Sequence, residues 1–221
     1  KGPSLQGATL RQASRTRSFW MLLISNFFCG VTARYFWILI APIAMEGGMS
    51  TGQVALVVSI AGVSALPGML LFGAACEKVG RPTLLSVNFM LRSAAFVIMA
   101  FYLKTHEPML MFVGAAMAGF LTRSSAPPFS LAMINCFGLR RLGTIIGVTG
   151  MVHQSGGALS LFIAGYIFDH VGSYSPTLVA GSILLVVAAA IAWRSPEKKC
   201  YSDIPATVPA EVAPRLATHT P

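Results

Sequence analysis

Three arginines, Arg34, Arg92 and Arg123, fall inside long apolar runs of the chain. A guanidinium in a membrane interior is costly, and is a functional candidate for that reason. It pairs with carboxylates through two parallel N–H···O bonds, so the chemistry on offer is recognition of an organic anion. The acids Glu46, Glu77 and Asp169 sit only at the ends of runs. At ~1.5 Å of rise per helical residue, Arg34 lies ~24 Å from the start of its run, just ahead of Tyr35, Phe36 and Trp37. Snorkelling beside an aromatic belt and attraction of a substrate anion both fit that place. Arg123 lies ~21 Å into its run, beside Ser124 and Ser125, and has the same two readings. Arg92 is nearest a midplane and is expected to bond carbonyls of a neighbouring helix. His153 and Gln154 are eleven and twelve residues into another run. A histidine there can bond a carboxylate or carry a proton, the plainer alternative being a hydrogen bond between helices. Asn26 is a weaker candidate of the same kind. No nucleophile–base pair, zinc-ligand spacing or phosphate loop stands out. No catalytic residue, metal or cofactor is expected, and an enzyme has no support.

The elements that must position these residues are membrane spans. The chain is 55% hydrophobic and only 10% charged, with a mean hydropathy of +0.70. A soluble domain carries about 25% charged residues. Six apolar runs cover about residues 18–44, 52–76, 82–103, 109–134, 142–168 and 176–193. Each has the length of a bilayer span, with Pro67 and Pro127-Pro128 expected as kinks. The fifth run is 27 residues without a Lys, Arg, Asp or Glu and contains Gly143, Gly147, Gly150, Gly156, Gly157 and Gly165. Glycines three or four apart share a face that a second helix can approach closely. Thr149, His153, Gly156 and Ser160 form a small, polar stripe, expected to line a pathway.

The net charge of +9 is not a nucleic-acid signature, because its distribution follows the loops. Twelve basic residues (Lys1, Arg11, Arg15, Arg17, Lys78, Arg81, Arg140, Arg141, Arg194, Lys198, Lys199 and Arg215) fall on one side of six alternating spans, and Lys104 alone on the other. Positive-inside bias then predicts cytoplasmic termini in a plasma (inner) membrane. Residues 1–17 read as a cytoplasmic linker, 18–194 as the membrane domain, and 195–221 as a disordered cytoplasmic tail. The chain starts at Lys1 and is expected to be part of a longer protein. Cys29, Cys76, Cys136 and Cys200 form no CxxC pair and imply no disulfide framework.

Two loops repeat one pattern. Gly73-x-x-x-Glu77-Lys78-x-Gly80-Arg81 closes the second span, and Gly165-x-x-x-Asp169-x-x-Gly172 the fifth. Three spans apart, they emerge on opposite faces, as an inverted repeat of three plus three helices requires. The first glycine admits a neighbouring helix, the acid meets a cation or a helix N-terminus, and the last glycine permits a tight turn.

The chain resembles the C-terminal six-helix half of a major facilitator superfamily transporter. The Gly73–Arg81 loop is similar to that family's signature, with Glu77-Lys78 where Asp-Arg is usual and Pro82 where a further basic residue is common. Thr16-Arg17-Ser18-Phe19-Trp20 resembles the entry into its seventh helix. The stretch from Phe137 to Gly147 and Gly165-x-x-x-Asp169-x-x-Gly172-Ser173-Tyr174 look most like the monocarboxylate and oxalate/formate exchanger branch. The resemblance implies an all-α membrane fold. Its first, second, fourth and fifth spans would line a central cavity, completed by an N-terminal six-helix half. It also implies alternating access for a small organic anion, bound by Arg34, Arg123, His153, Gln154 and Asn26. An efflux carrier for amphipathic compounds and a non-transporting scaffold or sensor are the rival readings. The repeated signature of mitochondrial carriers is missing.

Overall fold

The computed structural model describes residues 7–139 and 141–195. Arg140, Lys198, Lys199, Cys200, Arg215 and the expected tail at 196–221 lie outside the described residues, as do residues 1–6 of the expected linker. Among the described residues the chain forms α1 (Leu10–Ala13), α2 (Arg17–Glu46), α3 (Thr51–Ala75), α4 (Arg81–Thr105), α5 (Pro108–Ser124), α6 (Ala126–Phe137), α7 (Leu142–Val171) and α8 (Ser175–Trp193), and no strand.

The ends of these helices follow from local chemistry. Ser50 and Gln53 close a reciprocal capping box at the start of α3, satisfying two amide donors that the helix cannot. A proline opens α4, α5, α6 and α8, where its missing N–H costs nothing. Gly172 ends α7 with φ +70°, donating its N–H to Phe168 O at 2.7 Å. Pro42 and Pro67 sit inside α2 and α3 without dividing them. Pro127-Pro128, expected as a kink, instead separates α5 from α6 at Ser125. Part of the linker is also ordered: a capping box at Thr9 and Gln12 starts α1, and Ala8 donates to Phe137 O at 2.8 Å.

Among the described residues five spans, Arg17–Glu46, Thr51–Ala75, Arg81–Thr105, Pro108–Phe137 and Ser175–Trp193, are long and apolar enough to cross a membrane. With its 30 residues α7 matches α2 in length, but its polar residues from Thr149 to Gly157 lower its mean hydropathy and it is not among the five. A helix that turns one face to a polar cavity has that composition.

The spans form a three-plus-three repeat whose main contacts respect its symmetry. The first helix of each repeat packs on the second of the other, α2 on α7 and α5 on α3, while the third helices α4 and α8 pair together. Small residues set the α2–α7 distance. A Cβ on Gly30 would lie 2.1 Å from His153 O, and one on Gly156 would lie 2.7 Å from Phe27 O. The α3–α5 crossing is built alike, with Gly68 against Phe120 O and Gly119 against the Ala61 backbone. Hydroxyls join α4 to α8: Ser86 donates to Ala189 O at 2.9 Å, and the Ser93 and Ser182 hydroxyls meet at 2.8 Å. Only Gly156 and Gly157, of the six glycines in α7, meet a neighbouring helix. A Cβ at Gly143, Gly147, Gly150 or Gly165 would enter open space, so spacing alone overstated the contact face.

At the face opposite the basic loops, Glu46 ties the end of α2 to the start of α8. Its Oε1 accepts from Ser173 Oγ at 2.5 Å and its Oε2 from the Tyr174 N–H at 2.9 Å. The carboxylate thus sits at the positive end of α8. Burial pushes the Tyr174 phenol above its ordinary range, and the charges of Glu46 and Asp169 push it the same way. Glu46→Ala leaves the Tyr174 amide and Ser173 without this acceptor, at a cost of about 2 kcal/mol. Thermal melting of the full-length parent in detergent is expected to shift down by roughly 5 °C. An unchanged midpoint would show that water replaces the carboxylate.

Candidate substrate cavity

A cavity of about 460 Å³ opens between α2, α4, α5, α6 and α7. Helical periodicity explains its walls. On α2 the lining residues Asn26, Cys29, Ala33, Arg34 and Trp37 lie at i, i+3, i+7, i+8 and i+11. On α7, Ile146, Thr149, Gly150, His153 and Gln154 lie at i, i+3, i+4, i+7 and i+8, again one face of a helix. The break at Ser125 brings both the last turn of α5 (Thr122, Arg123) and the first turns of α6 (Phe129, Ser130) to the same space. Leu85 and Phe89 of α4 close the back.

Arg34, Arg123, His153, Gln154 and Asn26 therefore all face one volume. Arg34 is exposed, and its Nε and Nη2 both donate to Gln154 Oε1, at 3.2 and 2.9 Å. Its aliphatic stem lies over Gly157, where a Cβ would come within 2.3 Å of Cγ. Arg123 is exposed on the facing wall. His153 is half-buried, with Nδ1 3.4 Å from Gln154 Oε1. Asn26 donates to Thr149 O at 2.9 Å, so it joins α2 to α7 while it lines the cavity. No Asp or Glu is among the lining residues, which leaves the cavity electropositive.

Three expectations are corrected. The second span was expected to line the cavity, yet α3 contributes none of the lining residues. Gly68 and Ala61 turn its buried stripe onto α5, leaving Leu66 and Leu70 68% and 74% exposed on the far side. Part of the polar stripe on α7 is helix interface: Thr149 and Ser160 are buried, and Gly156 abuts Phe27. In the loop motif, Gly80 caps α4 at φ −54°, a value open to any residue, so the turn needs no glycine there as it does at Gly172.

The other motif residues stand away from the cavity. Gly73 faces open space and Glu77 and Lys78 are exposed, while Arg81 is half-buried beside Leu22, Asn135 and Ser195. Gly165 faces open space and Asp169 is exposed on the opposite face. Sequence reasoning missed Cys29, Thr122, Phe129 and Ser130 as lining residues. Cys29, three residues after Asn26, could have been placed by spacing.

Residues 11–216 match the Major Facilitator Superfamily. The chain belongs to that superfamily. Among curated proteins, the uncharacterized MFS-type transporter YcxA of Bacillus subtilis (strain 168) is 25% identical over 202 residues. That alignment takes in 86% of this chain and 49% of YcxA. Among solved structures, the E. coli fucose:proton symporter FucP superposes with a TM-score of 0.69 at 15% identity. It covers 85% of this chain and 45% of FucP. The chain thus spans about half the length of these superfamily members, and the likeness to FucP is one of fold.

Proposed function

We propose that the chain is the C-terminal half of a secondary transporter that carries small organic anions, monocarboxylates among them, by alternating access. The observation that carries this reading is the cavity wall, which holds Arg34, Arg123 and His153 and no carboxylate. Arg34 and Arg123 bind the anionic group, and His153 with Gln154 and Asn26 completes its hydrogen bonding. The apolar surface of Trp37, Phe89, Phe129 and Ile146 takes the organic body. The membrane domain spans 18–194, with the linker and tail on the cytoplasmic side of the plasma membrane. The Glu77–Arg81 and Asp169–Gly172 loops serve as gating elements where the two halves rock against each other. An N-terminal six-helix half completes the site.

The test is uptake of labelled small carboxylates by the full-length parent in proteoliposomes, with Arg123→Gln beside it. Saturable uptake is expected, reduced roughly tenfold in the variant through loss of one charged hydrogen-bond donor. A folded parent that moves no carboxylate would overturn the anion reading and favour amphipathic cargo.

A further inference from the structure

Arg92 stands behind the cavity wall and is 0% exposed. Its hydrogen-bond partners belong to α2, and none is a carboxylate. Nη2 donates to Cys29 O at 3.3 Å and to Thr32 Oγ1, and both terminal nitrogens lie 3.7 Å from Cys29 Sγ. The guanidinium also lies 5.7 Å from the Phe89 ring centroid, and Nε is buried without an acceptor. A buried cation that no carboxylate neutralises keeps a field that low-dielectric surroundings do little to damp. Cys29 and Phe89, which touch Arg92, are themselves cavity-lining residues, so one layer of side chains separates the charge from the site.

We propose that Arg92 is a specificity-determining residue for the cavity, a fixed positive charge that favours an anionic group resting against Cys29 without touching it. The inference rests on the anion reading above and extends it to the third span, which the resemblance did not place on the cavity. The groups that share the site's charge are Arg34 on α2, Arg123 on α5 and His153 on α7. The two cavity arginines are exposed and open to salt screening, and Arg92 is not. The three arginines can therefore be separated by experiment.

Cys29 provides the probe. In a full-length parent with its other cysteines replaced by serine, its modification is timed with two methanethiosulfonates of similar size, one sulfonated and one bearing a quaternary ammonium. In both cases the thiolate sulfur attacks the sulfenyl sulfur, a mixed disulfide forms and methanesulfinate leaves. The intrinsic reactivity of the thiolate cancels in the ratio of rates, which then reports the potential at Cys29. The anionic reagent is expected to react at least ~10-fold faster relative to its reaction with a free thiol. The preference should persist in 1 M salt, fall several-fold in Arg92→Gln and be kept in Arg92→Lys. A ratio that collapses in salt, or is unchanged in Arg92→Gln, assigns the field to Arg34 and Arg123 and overturns the proposal. Absence of modification by either reagent overturns it too, because the thiol would not then face the open cavity. Where Arg92→Gln fails to fold, the salt series in the parent decides. No substrate enters this measurement, so its failure is distinct from a failure of carboxylate uptake.

Discussion

Gly30→Val is expected to lower the melting temperature of the full-length parent by roughly 10 °C, the largest stability effect of any single change considered. A Cβ on Gly30 meets the carbonyl oxygen, carbonyl carbon and Cα of His153 at 2.1, 2.8 and 2.9 Å. These are backbone atoms in the middle of α7 and cannot rotate aside as a side chain could. The helices must part, and the bonds from Asn26 to Thr149 O and from Arg34 to Gln154 open with them. Overpacking alone costs ~1–3 kcal/mol, and the lost bonds add to it. Gly52→Ala is the control: nothing lies within 4 Å of its Cβ position, so its midpoint should hold or rise slightly. A Gly30→Val midpoint equal to the parent's would mean that α2 and α7 are not packed this closely.

Arg34→Gln should cut carboxylate uptake about 100-fold at low substrate concentration, equivalent to ~3 kcal/mol of lost charge-assisted hydrogen bonding. Two of the donors on Arg34 converge on Gln154 Oε1, an arrangement that a carboxylate can take over with added charge attraction. Arg34→Lys keeps the charge and loses the planar fork, so it should recover only part of the rate. Gln154→Ala removes only the neutral acceptor and is expected to cost less than ~10-fold. Initial uptake rates for the three variants, corrected for protein inserted, decide the matter. Equal losses in Gln154→Ala and Arg34→Gln would make the pair a helix clamp rather than a binding group.

Hydropathy and loop charge made the helical fold legible, because a bilayer demands long apolar runs whatever their partners. Which residues of a run meet a second helix is a tertiary matter. Gly156 and Gly150 look alike in sequence, yet one abuts Phe27 and the other opens on the cavity. Pro67 and Pro127 also look alike. Pro67 lies inside a continuous α3, whereas Pro127 falls in the first turn of a new helix, where its ring is tolerated. The cavity arginines were found because their charge is conspicuous in an apolar run. The orientation of α3 away from the cavity was not, since it depends on Gly68 meeting Phe120, 52 residues further along the chain. Spacing from Asn26 could place Cys29 on the wall, but nothing in the sequence set Arg92 behind it.

The crossed pairing of the two repeats also bears on biogenesis. A ribosome delivers α2, α3 and α4 to the bilayer before any of their principal partners α7, α5 and α8 has been made. Asn26 waits 123 residues for the carbonyl of Thr149, and Ser86 waits 103 for that of Ala189. Insertion of the spans and their assembly are therefore separate events. A chain stopped ahead of Leu142 leaves Gly30, Asn26 and Arg34 facing lipid, which gives membrane quality control a polar, glycine-lined groove by which to recognise an unfinished product.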